Sequence, residues 1–539
     1  MKQSLLVTSL LWMVSIAAAQ QNWNAQGQNG AVAAGKTGSA EAGLAMLQKG
    51  GNAMDAAAAS ILALSVTDHS DFCFGSEVPI IVYDARRQVV ETLSGMGAAP
   101  RLASQEYFAL AGVINREIPE NAAVPAALDA ILTLLERYGT MRFTDIAEPA
   151  LALLDQHQQP WHERLARTLR RLTEAEAQAK DRRQGLRLVS DYFYRGPIAW
   201  EIDAWARASG SLIRYPDLAT HATRVEAPVT ANYRGYTIYK CGPWTQGPYL
   251  LQSLRLLEGF DLKKSGFQTA PTIHLIVEAM KLALADRDTY YGDPLFVKTP
   301  LRELLADNYT QMRRKLIDSD KASLEQRPGD PINGKPLLAP QAACFGLSGK
   351  VDDTTTCLAA DKWGNVVAAT PSGWQGREVA GTGIWLGSRL ISFNVWKGHP
   401  NCIEPGKRPR ITLTPTIVFK DGKPAIAVSV AGGDTQDQAT LQMLTNYIDF
   451  GLPADKLVRT PRYHTDQYTG SFCQTPPLLG RLNIEKEMGA DVIARLKKMG
   501  HDVPGGPVPF LRICITFDPA TGALHAAGDP NCNRHAFAF

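Results

Sequence analysis

Residues 353–370 read DTTTCLAADKWGNVVAAT, and this stretch decides how the chain is interpreted. Thr354 leads a run of threonine, small and β-branched residues that favours a strand. If the bond before Thr354 breaks, its hydroxyl can attack a carbonyl and its own freed α-amine can act as the base. Such an amine has an ordinary pKa of about 7.7–8.0, which suits general-base work at neutral pH. The alternative is a plain Thr-rich strand start.

The residues before this stretch predict where cleavage could occur. Residues 318–350 are polar, rich in Pro, Gly and Lys, and without clear periodicity, which is typical of an exposed linker. Strong secondary-structure signal follows the linker. It predicts strands at 354–360, 366–370, 415–419 and 425–430, helices at 435–450 and 491–499, and a hairpin at 510–527.

The first half of the chain adds helices and further strands. Helical spacing over 39–66, broken by Gly50-Gly51, predicts two helices joined by a turn. The remaining predictions are strands at 78–84, 89–93 and 233–240, helices through 124–207, and a long helix at 271–291. Strands in layers with helices outside them indicate a layered α/β or α+β sandwich.

The amino terminus predicts export. Lys2 is followed by an apolar run over 5–16 and by small residues at Ala17–Ala19, which is typical of a secretory signal peptide over residues 1–19. The alternative is a membrane anchor, but the apolar run is short for a membrane span. We therefore expect a periplasmic or secreted protein without a membrane span after signal removal. The formal net charge of +3 is too weak to indicate nucleic-acid binding.

The chain has eight cysteines, and an even count fits an oxidising compartment. They form no CxxC pair, and the ten histidines show no metal-ligand spacing. We therefore expect no metal and no cofactor. Cys514 and Cys532 flank the predicted hairpin and could form a disulfide, but buried free thiols are an equal alternative.

Residues 30–37 read GAVAAGKT and match the phosphate-loop pattern GxxxxGKT. A phosphate loop needs a buried strand before it and a helix after it, so that backbone N–H groups point at phosphate. The residues before Gly30 are instead rich in Gln, Asn and Gly and directly follow the signal peptide. We therefore expect no nucleotide to bind at this segment.

Ordered blocks over nearly the whole mature chain resemble the γ-glutamyltranspeptidase family. These blocks are QKGGNAMDAAAASILALSV (48–66), YRGYTIYKCGPWTQGPYLLQSLRLLEGFDL (233–262), ADRDTYYGDPLFV (285–297), DKWGNVVA (361–368), PGKRPRITLTPTIVFKDGKP (405–424), AGGDTQDQATLQMLTNYIDFGL (431–452) and TPRYH (460–464). The resemblance implies a four-layer αββα sandwich of the N-terminal-nucleophile hydrolase type. It also implies self-cleavage before Thr354 into a large subunit (20–353) and a small subunit (354–539), which stay together as a heterodimer.

The resemblance assigns catalytic roles to three further positions. Gly432 and Gly433 match the glycine pair whose N–H groups form the family's oxyanion hole. Ser372 lies where the family has a hydroxyl residue that supports the nucleophile. Without the resemblance, the glycines would indicate a tight turn, and a lone serine after Pro371 would do the same.

The candidate substrate pocket departs from the family pattern. Met96 stands where the transpeptidases have the arginine that binds the γ-glutamyl α-carboxylate. Trp374 replaces an asparagine, and Ser392 replaces the aspartate that binds the α-amine. Of a serine pair, one member is replaced by Ile411, while Thr412 keeps the other's hydroxyl. Arg377 and Arg389 lie nearby in sequence and could supply a relocated cation.

Two further features resemble the family's hydrolase branch of oxamate amidohydrolase-like and cephalosporin acylase-like proteins. They are the Gly-Gly-Asp form at 432–434 and Gly75-Ser76-Glu77 in place of a longer glycine run. We expect an amide hydrolase that passes a γ-glutamyl or other small N-acyl group through an ester of Thr354. Trp374, Arg389, Ser392 and Thr412 are its predicted substrate-binding residues. The alternative is a secreted binding or scaffold protein that kept the fold without the chemistry. Retention of the predicted catalytic residues argues against that alternative.

Overall fold

The computed structural model describes residues 22–111, 118–339, 354–373, 376–472, 474–506, 508 and 510–539. The strands of the two main sheets are β1 (Asn24–Gly27), β2 (Gly30–Ala34), β3 (Val78–Asp84), β4 (Val89–Gly95), β5 (Val225–Glu226), β6 (Val229–Tyr233), β7 (Tyr236–Lys240), β8 (Cys357–Asp361), β9 (Val366–Ala369), β12 (Thr416–Lys420), β13 (Lys423–Ala431), β16 (Leu511–Phe517), β17 (Leu524–Gly528) and β18 (His535–Ala538). Two short hairpins lie outside these sheets, formed by β10 (Glu378–Val379) with β11 (Ile384–Trp385) and by β14 (Tyr463–Thr465) with β15 (Leu482–Ile484).

The two main sheets have seven strands each and are antiparallel throughout. The first has the order β1-β17-β16-β13-β12-β7-β6, and the second has the order β18-β2-β8-β9-β3-β4-β5. Both sheets mix strands from before and after Thr354, since β2 pairs with β8 and β7 pairs with β12. The two predicted subunits therefore share one pair of sheets.

Helices cover the outer face of each sheet. They are α1 (Thr37–Gln48), α2 (Ala53–Thr67), α3 (Gln105–Ala111), α4 (Ala127–Tyr138), α5 (Phe143–Leu154), α6 (His162–Ala177), α7 (Arg182–Tyr194), α8 (Pro197–Ser209), α9 (Tyr215–Ala219), α10 (Pro248–Leu257), α11 (Leu262–Ser265), α12 (Ala270–Tyr290), α13 (Leu301–Leu304), α14 (Asp307–Arg314), α15 (Gln436–Ile448), α16 (Ala454–Leu457) and α17 (Ala490–Lys498). Helices α1, α2 and α4 pack on the second sheet, and α5–α8 pack outside them. Helices α10 and α15 pack on the first sheet, α12 packs on α10, and α17 packs on α12.

The period of two along each strand divides its side chains between two cores. In β3, Ile81 and Tyr83 point into the core between the sheets, whereas Ile80 and Val82 point toward the outer helices. In β13, Ala427 faces the other sheet and Ile426 faces helices. The layers are thus helix, sheet, sheet and helix, which confirms the αββα prediction.

Local sequence explains the first helical pair. Gly50 has a φ of 91°, a left-handed conformation that glycine adopts without strain. The Asn52 side chain accepts hydrogen bonds from the N–H groups of Met54 and Asp55, and the Asp55 carboxylate accepts one from the Asn52 N–H. This capping box starts α2, so the predicted helix–turn–helix is confirmed.

Two predictions from the sequence were wrong in detail. The strand predicted at 233–240 is a hairpin, because Arg234 and Gly235 have φ values of 53° and 77° and form a two-residue turn between β6 and β7. The first part of the predicted linker is anchored, since the Ala322 N–H donates to the Met499 carbonyl at 2.7 Å. Residues 332–338 are exposed, and residues 340–353 lie outside the described residues.

Cys241, Cys357, Cys402, Cys514 and Cys532 are free thiols. The alternative of a bond between Cys514 and Cys532 was therefore wrong. No helix among the described residues is both long and apolar enough to cross a membrane. The predicted signal peptide lies outside the described residues.

Candidate active site

Thr354 lies between the predicted linker and β8, three residues before that strand begins. It pairs as an antiparallel bridge with Ser372, and the Thr355 N–H donates to the Pro371 carbonyl at 2.9 Å. The Thr355 hydroxyl donates to the buried carboxylate of Asp68 at 3.2 Å. Thr354 is 2% exposed, so its hydroxyl sits within the protein rather than on a mobile surface.

Ser372 supports the Thr354 hydroxyl directly. The two hydroxyl oxygens are 3.2 Å apart, and Arg389 Nη2 donates to Ser372 Oγ at 2.6 Å. The Arg389 Nε in turn donates to Glu77, which forms an antiparallel bridge with Ser372. Burial raises the pKa of the Glu77 carboxyl, and the charge of Arg389 opposes that shift. The structure therefore brings together Thr354, Ser372 and Arg389.

Gly432 and Gly433 follow the end of β13 and begin a short 3₁₀ helix that leads into α15. Their φ values are 137° and 57°, so both positions favour glycine. Among the described residues, neither glycine N–H has a hydrogen-bond partner. Two adjacent N–H groups at a helix start can stabilise an oxyanion, which is the chemistry that the resemblance implies.

An ion-pair network that the sequence did not reveal fixes this glycine turn. Arg287 donates to Asp434 at 2.7 Å and to the Thr469 carbonyl at 2.9 Å. The Ser471 hydroxyl and N–H donate to the same aspartate at 2.5 and 2.8 Å, and Arg410 donates to Ser471 at 2.8 Å. Burial and the nearby Arg287 lower the pKa of Arg410 to about 10. No sequence spacing signals these contacts, because they join distant segments.

A second buried pair holds the first turn of α15. Lys240 is fully buried and donates to Asp437 at 2.7 Å, to Thr416 at 2.7 Å and to the Thr414 carbonyl at 2.8 Å. The Thr414 hydroxyl also donates to Asp437 at 2.5 Å. Burial lowers the pKa of Lys240 and raises that of Asp437, while each charge opposes the shift of the other.

The neighbouring Gln436 is a contact of Thr354 that the sequence analysis missed. Its side-chain amide lies 3.4 Å from Thr354 Oγ1, and the residue is 1% exposed. Its position just after the Gly-Gly-Asp-Thr segment was the one available signal, but a glutamine on a helix usually indicates a solvated face.

Two predicted substrate-binding residues reach this centre, Arg389 through Ser372 and Thr412 through Gln436. Thr412 and Ser392 are buried, and neither hydroxyl has a hydrogen-bond partner among the described residues. Met96 and Ile411 belong to the same apolar core between the sheets. Trp374 lies outside the described residues. Buried hydroxyls without partners are costly, so the positions of Ser392 and Thr412 suit a polar ligand.

The first residues of the GAVAAGKT segment form a strand rather than a loop. Residues 30–34 are the buried strand β2, α1 follows, and the strand before the motif, β1, is partly exposed. The Asp68 carboxylate occupies the start of α1, accepting from the Lys36 N–H at 3.3 Å. A carbon added at Gly35 would meet Asp68 at 2.6 Å. A protein carboxylate fills the place that a phosphate would need.

Within the part of the chain that the structure describes, His274, Glu278 and His501 come close enough to share a metal ion, with ligand atoms within 4.8 Å. Their contacts disfavour a cation. Glu278 already accepts hydrogen bonds from Lys281 at 2.7 Å and from Arg327 at 3.2 Å. Two cationic side chains thus already pair with the single Glu278 carboxylate, and their positive charges oppose the binding of a metal ion.

Comparison with known proteins identifies the family of this chain. The family model described as Gamma-glutamyltranspeptidase matches residues 39–159 and 156–539. The chain belongs to the γ-glutamyltranspeptidase family. It is 29% identical to the glutathione hydrolase proenzyme of Bacillus subtilis (strain 168), with 95% of this chain and 91% of the relative covered. It is 30% identical to the acylase ACY 1 proenzyme of Pseudomonas sp. (strain SE83), with 94% of each covered.

A solved acylase structure has the same overall fold as this chain. The cephalosporin acylase from Bacillus halodurans superposes with a TM-score of 0.80 at 25% identity, covering 98% of this chain and 99% of that one. The fold is therefore that of the N-terminal-nucleophile hydrolases, as the sequence predicted. The chain is a hydrolytic enzyme of this family, and the binding or scaffold alternative is not favoured.

Proposed function

We propose that this chain is a self-processing amide hydrolase in which Thr354 is the nucleophile and its α-amine is the base. The contact that carries the proposal is the 3.2 Å approach of the Thr354 and Ser372 hydroxyls, both buried. The Ser372 hydroxyl in turn accepts a hydrogen bond from Arg389. A threonine with a hydroxyl neighbour of this kind, placed at the end of a linker, suits N-terminal-nucleophile chemistry.

Self-cleavage would create the active enzyme. The Thr354 Oγ attacks the carbonyl carbon of residue 353, the C–N bond breaks, and the hydroxyl proton passes to the departing nitrogen. Water then hydrolyses the resulting ester, which leaves a carboxyl group on residue 353 and a free hydroxyl and α-amine on Thr354. The products, 20–353 and 354–539, would remain associated, because β8 is hydrogen-bonded to β2 and β12 to β7.

Turnover would repeat this chemistry on an external amide. The Thr354 Oγ attacks the substrate carbonyl and its proton moves to the α-amine. The Gly432 and Gly433 N–H groups would stabilise the oxyanion, and each such donor contributes about 2.7–4 kcal/mol in known enzymes. The C–N bond breaks as the leaving amine takes the proton. Water then attacks the ester, restores the hydroxyl and releases the acid.

We propose an acyl group without an α-amine as the preferred substrate class. Ser392, which is neutral and buried, stands where the family's transpeptidases have the aspartate for the substrate α-amine. Met96, which lies in an apolar core, stands where they have the arginine for the substrate α-carboxylate. Hydrogen bonds to charged groups contribute ~1.5–3 kcal/mol, and tenfold in rate is ~1.4 kcal/mol. Loss of two such contacts would cost glutathione-like substrates on the order of 10²- to 10⁴-fold in kcat/KM.

The test compares γ-glutamyl-anilide with glutaryl-anilide, which lacks only the α-amine. We expect glutaryl-anilide to be hydrolysed with the higher kcat/KM, and we expect Thr354→Ala to hydrolyse neither. A tenfold preference for the γ-glutamyl compound would contradict the substrate class while leaving the nucleophile intact. Equal hydrolysis by wild type and Thr354→Ala would contradict the catalytic proposal itself. The predicted signal peptide leads us to propose a periplasmic or secreted location.

A further inference from the structure

Gln436 connects the three parts of the candidate active site. It is the first residue of α15, and its amide nitrogen can donate to two backbone carbonyls, those of Thr412 and Val430, each 3.1 Å away. Thr412 belongs to the predicted pocket wall, and Val430 lies at the end of β13, two residues before Gly432. One buried side chain therefore joins the pocket wall, the strand that leads into the glycine turn, and the nucleophile.

The two carbonyls fix which way the Gln436 amide faces. A carbonyl oxygen only accepts hydrogen bonds, so the NH₂ group must point at Thr412 and Val430. The amide oxygen then faces Thr354 Oγ1 at 3.4 Å. An amide oxygen can only accept, so the Thr354 hydroxyl is the donor in this contact.

On the other side of Thr354, the series of hydrogen bonds begins at a group that can only donate, the Arg389 guanidinium. The Arg389 guanidinium has no acceptor atom, so it donates to Ser372 at 2.6 Å. With the Thr354 hydrogen directed at Gln436, the 3.2 Å contact between the two hydroxyls is a hydrogen bond in which Ser372 donates to Thr354 Oγ1. The hydrogen bonds then run in one direction, from Arg389 through Ser372 and Thr354 to Gln436.

We propose that Gln436 is a positioning residue that holds the nucleophilic oxygen of Thr354 in a single orientation, a role that rests on the proposed function of Thr354. One lone pair of the oxygen receives the Ser372 hydrogen and the second stays open for attack on a carbonyl. The hydrogen of Thr354 rests on the Gln436 oxygen until attack begins and then passes to the nitrogen of Thr354. Gln436 acts through Thr354 rather than on substrate. Its loss should therefore lower kcat much more than it raises KM.

The experiment pairs Gln436→Met with Gln438→Met. Gln438 lies on the same helix and is fully buried, and its side chain donates to the Thr465 carbonyl at 3.0 Å and accepts from the Thr465 N–H at 2.9 Å. Both variants remove a buried amide from α15, but only one amide contacts the nucleophile. Misplacing a reacting group by about 1 Å can cost on the order of 10²-fold. We expect Gln436→Met to lower kcat and the self-cleavage rate by about 10- to 100-fold, with KM within about threefold.

The control should keep the wild-type kcat per folded molecule, even if it unfolds at a lower temperature. Gln436→Leu, which like methionine offers Thr354 no acceptor, provides a second variant if the methionine form does not accumulate, and we expect the same fall in kcat. The role is refuted if Gln436→Met or Gln436→Leu keeps kcat within twofold, or if Gln438→Met loses as much. A wild-type chain that is never cleaved would overturn the proposed function as well, which separates the two failures.

Discussion

Replacement of Ser372 by alanine removes the hydroxyl that contacts both Thr354 and Arg389. The hydroxyl lies 3.2 Å from Thr354 Oγ1 and 2.6 Å from Arg389 Nη2, and all three residues are buried. As charge develops on the Thr354 oxygen, the lost contact becomes a hydrogen bond to a charged group, which contributes ~1.5–3 kcal/mol. Since ~1.4 kcal/mol is tenfold, we expect kcat/KM to fall about 10- to 150-fold.

The assay is initial-rate hydrolysis of an acyl-anilide by mature enzyme, with two comparison variants. Ser372→Thr keeps the hydroxyl and should stay within about threefold of wild type. Thr370→Val removes another buried hydroxyl, 3.1 Å from that of Ser429 and two residues away along the chain, and should leave kcat/KM unchanged. If Ser372→Ala keeps kcat/KM within threefold, or if Thr370→Val is equally damaging, the support of Thr354 by Ser372 is refuted.

Three further predictions concern the surroundings of the site. Lys36→Ala should keep the hydrolysis rate within a few-fold of wild type, and calorimetry should detect no ATP binding to either protein, because the Asp68 carboxylate fills the start of α1. Millimolar or tighter ATP binding to wild type that is lost in this variant would contradict the prediction. Asp434→Asn should lower the free energy of unfolding by about 3 kcal/mol in urea titration, since it leaves the buried Arg287 with one fewer carboxylate; an unchanged midpoint would contradict it. Burial lowers the pKa of His399 to about 4 and that of His501 to about 3. Folding therefore favours the neutral form of each histidine, and as pH falls below 6.5 each should lower the free energy of unfolding by about 1.4 kcal/mol per pH unit. His501→Gln should make the free energy of unfolding depend less on pH.

The roles of Ser372 and of the glycine turn were both predicted from the resemblance to the family, since each position alone indicated only a turn. The structure gives a local cause for the contact between Thr354 and Ser372. The β8–β9 hairpin pairs Cys357 with Ala369, and the same register places Thr354 opposite Ser372. A period-2 pattern with a short turn carries that register within 20 residues of sequence.

The other contacts of the site depend on how the two sheets face each other. Gln436 lies 82 residues from Thr354, and Arg287 lies 147 residues from Asp434. A single sequence does not encode such long-range pairings in any periodicity, since each of these polar residues alone is typical of a solvated surface. The GAVAAGKT segment matched the phosphate-loop pattern for a related reason, because small residues fit both a glycine-rich loop and the buried strand β2.

The most direct test of the account is intact-mass measurement and N-terminal sequencing of purified wild type and Thr354→Ala under denaturing conditions. We predict that wild type gives two chains, one of which begins at Thr354, and that Thr354→Ala remains one inactive polypeptide. Cleavage of Thr354→Ala at the same bond, or an uncleaved but active wild type, would contradict the assignment of Thr354 as the nucleophile.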